Sequence, residues 1–262
     1  MDRASRVASG GRGQQADERP VTSIGIFGWQ GRMGRAIAQE IERAGETLAG
    51  GVDQGGDPVE LAGRADVLVD FSSPSALAAN LAAARGAGTP IVIGTTGLND
   101  RHHAMIDEAA AEVAVLQTGN TSLGIALLSR LVRDAARRLG PDWDIEIVES
   151  HHRLKVDAPS GTALMLGDAA AEGMGTTLSD SGVIGRAGLV GARAGGTIGF
   201  ASLRGGTIVG DHQVVFAGEG ERIELGHRAD DRALFARGAV RAALWLAGAP
   251  AGRYTMDAVL GV

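Results

Sequence analysis

Cysteine is absent from the chain, which excludes disulfides, thiolate metal sites and cysteine nucleophiles and leaves no reason to expect an oxidising compartment. Aromatic residues are scarce, with three Trp, one Tyr and five Phe among 262 residues, so the core must be built from Val, Ile, Leu and Ala. Positive charge is not concentrated anywhere: the net charge is −6, and no long Lys/Arg block offers a footprint for nucleic acid or an anionic membrane. No apolar run approaches the roughly 18 to 20 residues that span a bilayer. Residues 1–20 scatter Arg and Asp among small polar residues without the apolar run of a secretory signal, and they read as a disordered tail. A soluble, cytoplasmic protein is expected, with neither nucleic acid nor membrane as a partner.

Glycine is abundant, at 41 positions, and together with 44% hydrophobic content it has the flavour of an α/β enzyme with many tight turns. The run SIGIFG reads as a strand that closes on glycine, and GRMGRAIAQEIERAG follows with apolar residues at helical spacing. Further strands end at Asp53, Ser72 and Thr96, with helices at 74–87 and 99–111, and strands alternating with helices imply a parallel sheet. VAVLQTGN reads as one more strand, before an amphipathic helix over 122–139 that Gly140-Pro141 terminates. Beyond Pro141 come the strand DWDIEIVESHH, a helix over 160–172, and then GTIGFASLRGG, GTIVGDHQVVFAG and ERIELGHRA without intervening helices. Such a run favours an antiparallel or mixed sheet with one exposed face, which places a second domain over 123–231. The last helix, 232–247, is positioned to return to the first domain, so that 21–122 and 232–262 form one discontinuous unit.

Gly28, Gln30, Gly31, Arg32, Met33 and Gly34 lie in a glycine turn between a strand and a helix, the context of a dinucleotide fingerprint. Gly28 permits the tight turn, Gly31 lets backbone approach a pyrophosphate, and Gly34 allows close packing, while the helix N-terminus offers free N–H donors. A turn that needs glycine for geometry alone is the competing reading. Asp53 ends the second strand about 20 residues on, where a carboxylate accepts hydrogen bonds from ribose hydroxyls. That suits NADH. Arg32 could meet a 2′-phosphate and allow NADPH, but Gln54 adds no positive charge, so NADH is favoured. Gly94, Thr95 and Thr96 stand at a strand end, where backbone can line a nicotinamide or simply form a turn.

Glu149 to Ala163 reads ESHHRLKVDAPSGTA, a concentration of cations in an acidic protein. His151 or His152 can deliver a proton, Lys155 and Arg153 can hold carboxylates, and Ser160, Gly161 and Thr162 open a helix with hydroxyls and free N–H groups. Two such cradles suit a dicarboxylate substrate. Surface histidines and an ordinary helix cap are the bland alternative. No partner for a two-histidine metal site falls at the i+4 helical spacing, so no metal is expected. His102 and His103 lie early in a helix among polar residues and are expected to face solvent.

Together GRMGRAI, VDFSSPSALAANL, VIGTTGL, DIEIVESHHRLKVDAPSGTALMLGDA, GFASLRGGTIVGDHQVVFAGEGERIELGH and FARGAVRAALWLAG resemble the 4-hydroxy-tetrahydrodipicolinate reductase family over residues 21–260. The resemblance implies an α/β fold, with a Rossmann-like nucleotide domain and an α+β substrate and oligomerisation domain containing a mixed open sheet. It implies reduction of a small cyclic imine dicarboxylate by NADH or NADPH in diaminopimelate and lysine biosynthesis. By this resemblance His151 is the general acid and Lys155 the companion that holds a carboxylate and supports protonation. His152, Gly161 and Thr162 match substrate-binding positions, Arg153 braces the segment, and the assembly is a homotetramer built through the substrate-domain sheets. Trp29, Gln54 and Thr121 depart from the pattern, standing where a small, a basic and an aromatic residue are usual. Reduction of another small imino or keto acid, or nucleotide sensing without turnover, are the competing functions.

Overall fold

The computed structural model describes residues 20–261, so positions 1–19 of the expected tail lie outside it. The chain begins with β1 (Ser23–Phe27), α1 (Arg32–Arg43), β2 (Thr47–Val52), α2 (Pro58–Ala62) and β3 (Val67–Asp70). Next come α3 (Leu77–Ala87), β4 (Ile91–Ile93), α4 (Asp100–Ala110), β5 (Ala114–Gln117) and the long α5 (Leu123–Leu139). The second sheet draws on β6 (Asp144–His151), β7 (Gly182–Ile184), β8 (Ile198–Arg204), β9 (Gly210–Ala217) and β10 (Arg222–Ala229), with α6 (Gly161–Met174) and α7 (Leu178–Ser181) between β6 and β7. The described chain closes with α8 (Ala233–Leu246), β11 (Gly252–Tyr254) and α9 (Met256–Leu260).

The first sheet has the order β11-β5-β4-β3-β1-β2, and every pairing in it is parallel. Helices cover both its faces, so β3 and β4 are buried throughout and read as unbroken apolar runs. Ile37 and Ile41 of α1 join Ala239 and Val240 of α8 on one face, while Leu61, Leu81 and Ile106 of α2, α3 and α4 fill the other. Strand order reverses between β1 and β3, which leaves a crevice at their carboxyl ends.

The second sheet, β10-β9-β6-β8-β7, is mixed: β6 pairs antiparallel with β9 and parallel with β8. β6 alternates half-buried and buried residues because α5 and α6 cover one face, where Ile145, Ile147, Val214 and Phe216 form a third core. The α/β architecture is therefore the one expected, with α8 packed on α1, β3 and β4. Sequence patterning does not anticipate β11, which extends the first sheet, nor the short α2, α7, β7 and α9. Elements of three to five residues are too brief for periodicity to declare them.

Candidate active site

Gly28 adopts φ +80°, and a β-carbon there would sit 2.5 Å from the carbonyl oxygen of Phe71. A β-carbon at Gly34 would overlap the carbonyl oxygen of Gly28, so both glycines hold the turn tight. α1 has no side-chain cap and no acid in its first turn, whereas Asp57, Asn99, Ser122 and Ser160 cap α2, α4, α5 and α6. Its first N–H groups are thus free for an anion. Beside it a cavity of about 560 Å³ opens at the β1–β3 crevice, lined by Gly28, Gly31, Asp53, Gln54, Ser72 and Ser73 among others, with no Lys or Arg in the lining. These residues fit a dinucleotide.

The backbone N–H of Gln30 donates to Asp53 Oδ2 at 3.0 Å, so the glycine turn orients that carboxylate. Trp29 lies outside the cavity, its side chain resting where a β-carbon of Gly51 would be. Sequence reasoning also passed over Asp70. It is fully buried and accepts from Ser72 N–H at 2.9 Å, Ser72 Oγ at 2.6 Å, Asn80 Nδ2 at 3.0 Å and Thr95 Oγ1 at 3.0 Å. One carboxylate thereby ties the ends of β3 and β4 to α3.

His151 ends β6, and its Nδ1 lies 2.6 Å from Glu149 Oε2. Glu149 is only 1% exposed. Burial alone would raise its pKa, but hydrogen bonds from Arg204, His151 and Ser202 outweigh it and pull the value down to about 2. His212 on β9 meets the His151 ring edge to face at 5.1 Å. Its pKa falls to about 4, first through burial and then through the charge of His151. Burial and the charges of Arg232, His151 and Lys155 also lower the pKa of His152. Lys155 Nζ donates to both oxygens of Asp157 at 2.9 Å.

Thr162 Oγ1 accepts from Asn120 Nδ2 at 2.9 Å, and Gly161 and Thr162 open α6. Ser160 caps α6 and lines the cavity that His151 and Lys155 line. Its N–H donates to Glu149 at 3.2 Å, and its hydroxyl accepts from Ala163 N–H and bonds His212 Nε2, so its polar atoms are committed inward.

Two cavities, of about 620 and 510 Å³, meet along Thr95, Thr96, Gly119, His151, Lys155 and Thr162. Tertiary folding thus brings the 94–97 turn of the first sheet against the histidine–lysine segment of the second. Arg32, Met33, Gly94 and His152 line the 510 Å³ cavity, together with Arg232 and Phe235, which sequence reasoning did not single out. His103, expected in solvent, lines the other. Arg253 lies 3.1 Å from its Nδ1, and because a guanidinium only donates, Nδ1 accepts and Nε2 carries the proton. Thr121 is buried, and its hydroxyl donates to the carbonyl of Phe235 at 2.7 Å.

Residues 22–121 match the family model for the N-terminus of dihydrodipicolinate reductase, and residues 124–260 match the model for its C-terminus. The chain is 53% identical over 246 residues to the 4-hydroxy-tetrahydrodipicolinate reductase of Zymomonas mobilis, covering 91% of this chain and 97% of that protein. It is 50% identical over 236 residues to the enzyme of the same name from Methylocella silvestris, covering 88% and 87%. In fold it is similar to the dipicolinate-bound dihydrodipicolinate reductase of Paenisporosarcina sp. TG-14, with a TM-score of 0.69 at 20% identity over 90% of this chain and 98% of that one.

Proposed function

The chain belongs to the dihydrodipicolinate reductase family, and we propose that it reduces 4-hydroxy-tetrahydrodipicolinate to tetrahydrodipicolinate with a reduced nicotinamide cofactor, a step of diaminopimelate and lysine biosynthesis. The observation that carries this reading is the shared cleft: His151 and Lys155 line the same two cavities as Thr95 and Thr96. Replacing the 4-hydroxyl by hydrogen takes up one hydride and one proton and releases one water. When bound, the dihydronicotinamide supplies the hydride.

Gly31, Arg32 and the α1 N-terminus would hold the pyrophosphate, Asp53 the adenosine ribose, and the backbone of Gly94, Thr95 and Thr96 the nicotinamide. Because Nδ1 of His151 faces Glu149, Nε2 is the atom that delivers the proton. Lys155 exchanges Asp157 for a substrate carboxylate, and the free N–H groups and hydroxyl of Gly161 and Thr162 receive the other, with His152 alongside. Imidazolium and ammonium together stabilise the negative character left after hydride arrival.

NADH is the favoured cofactor, since the crevice around Asp53 offers a carboxylate, an amide and hydroxyls but no cation to a 2′-phosphate. Residues 21–122 with 232–262 would bind the nucleotide, and 123–231 the substrate. A homotetramer is supported by the second sheet's other face: among the described residues α5 and α6 pack on one side, while Leu203, on the opposite side, is 52% exposed. A cytoplasmic location belongs to the same reading, because reduced nicotinamide is regenerated there.

The test is loss of reduced-nicotinamide absorbance, with NADH and NADPH separately, on substrate formed in situ from pyruvate and aspartate semialdehyde. Turnover, faster with NADH, is expected. Nucleotide binding without consumption of either cofactor would overturn the reading in favour of a sensing protein.

A further inference from the structure

Arg204 ends β8, and the parallel register of β6 and β8 sets it opposite His151. The four N–H bonds of its two terminal nitrogens are all used. Nη1 donates to Glu149 Oε2 at 2.8 Å and to the Leu203 carbonyl at 2.7 Å. Nη2 donates to Glu149 Oε1 at 2.7 Å and to the Asp157 carbonyl at 2.7 Å. Two of the residues so held each touch one member of the cationic pair: Glu149 bonds Nδ1 of His151, and the Asp157 carboxylate grips Nζ of Lys155.

We propose that Arg204 is a positioning residue that sets both cations of the site at once, His151 through Glu149 and Lys155 through Asp157. The inference rests on the roles given to His151 and Lys155 above.

A carboxylate as buried as Glu149 stays ionised only while its lone pairs are met by donors. Arg204 supplies the paired donors, and Ser160 N–H adds one at 3.2 Å. Without the guanidinium, Glu149 would lose its paired donors and, with them, its fixed place and full negative charge behind Nδ1 of His151. The imidazole would then lose the anion that orients it and favours its proton-donating form. The second arm acts on geometry: by fixing the carbonyl of Asp157, Arg204 anchors the loop whose turn is closed by Lys155 N–H on the His152 carbonyl at 3.1 Å. A lysine at 204 would retain the charge but not the planar fork that spans two carboxylate oxygens and a carbonyl.

The experiment uses the full chain and its Arg204→Ala and Arg204→Lys variants. For Arg204→Ala, kcat is expected to fall about 100-fold, the NADH dissociation constant to stay within about twofold, and millimolar guanidinium to restore at least about tenfold of the loss, since the side chain is partly exposed. The Nδ1 proton of His151, hydrogen-bonded to Glu149, is expected far downfield in the NMR spectrum of the parent and is expected to shift upfield or broaden away in the variant. Arg204→Lys should lose about tenfold, and it carries the test if the alanine variant does not fold. Turnover of either variant within about twofold of the parent would overturn the proposal. So would a loss that guanidinium leaves unrepaired while the His151 resonance is unchanged, because the residue would then serve the fold alone. If the parent itself does not turn over the cyclic substrate, the reading of function has failed separately, and the His151 resonance in the variants still decides the role of Arg204.

Discussion

The carbonyl oxygen of Thr121 lies where a β-carbon of Gly238 would be, so the segment that crosses between the two sheets is seated directly on α8. The Thr121 hydroxyl pins the same segment a second time by donating to the Phe235 carbonyl. Thr121 and Phe235 also line the cleft, which makes this contact the joint between the described halves of the site. The joint needs glycine, because the clashing atom is backbone and cannot rotate away.

Gly238→Ala is therefore expected to destabilise the protein by about 1–3 kcal/mol through overpacking, despite alanine's better helix propensity. Thermal unfolding measures it, and an unchanged or raised midpoint would show that α8 can move aside at no cost.

His151→Gln is expected to cut turnover by about 10²- to 10⁴-fold, the range associated with loss of a proton donor. NADH binding, followed by fluorescence titration, should stay nearly intact, since His151 belongs to the second sheet. A comparable loss of NADH affinity would argue that the histidine builds the fold and not the chemistry.

Gln54→Arg places a guanidinium in the Asp53 crevice and is expected to improve kcat/KM with NADPH by about tenfold, the worth of one modest charge-assisted hydrogen bond. The comparison is of steady-state rates with both cofactors, and an unaltered NADPH rate would mean that the adenosine ribose lies elsewhere.

Stability should fall as the pH drops from about 6.5 to about 4, because the unfolded chain accepts a proton that folded His212 refuses. The unfolded state binds more protons in that window, so stability rises with pH across it, by about 3 kcal/mol in all. Glu149 adds a second loss at lower pH: its depressed pKa stabilises the fold above the ordinary carboxylate value, and that contribution fades as the pH falls toward about 2. Urea midpoints between pH 7 and 4 for the parent and His212→Asn test the first part. Parallel curves for the two proteins would remove His212 as the cause.

Much of the fold was legible because its signals are local. Alternating strands and helices announced the parallel sheet, and the Gly140-Pro141 stop ended α5 where expected. His151 and Lys155 were legible as chemistry because their cationic neighbours stand within a few positions. His103 was not: the strand β11 that carries Arg253 to it is only three residues long and lies 150 positions away in sequence.

The sequence by itself determined the longer elements, the glycines and the residue types able to bind a nucleotide and deliver a proton, since these depend on periodicity and on neighbours along the chain. Only the tertiary structure decided which polar atoms are already engaged. Ser160 and Gln30 look available in the sequence, yet the fold commits the polar atoms of Ser160 and the backbone N–H of Gln30 to other residues. Arg204 looks like an ordinary strand end, yet it grips the carboxylate behind His151 from 55 positions away. Hydrogen bonds are satisfied by distance in space, and sheet register, not sequence proximity, sets that distance.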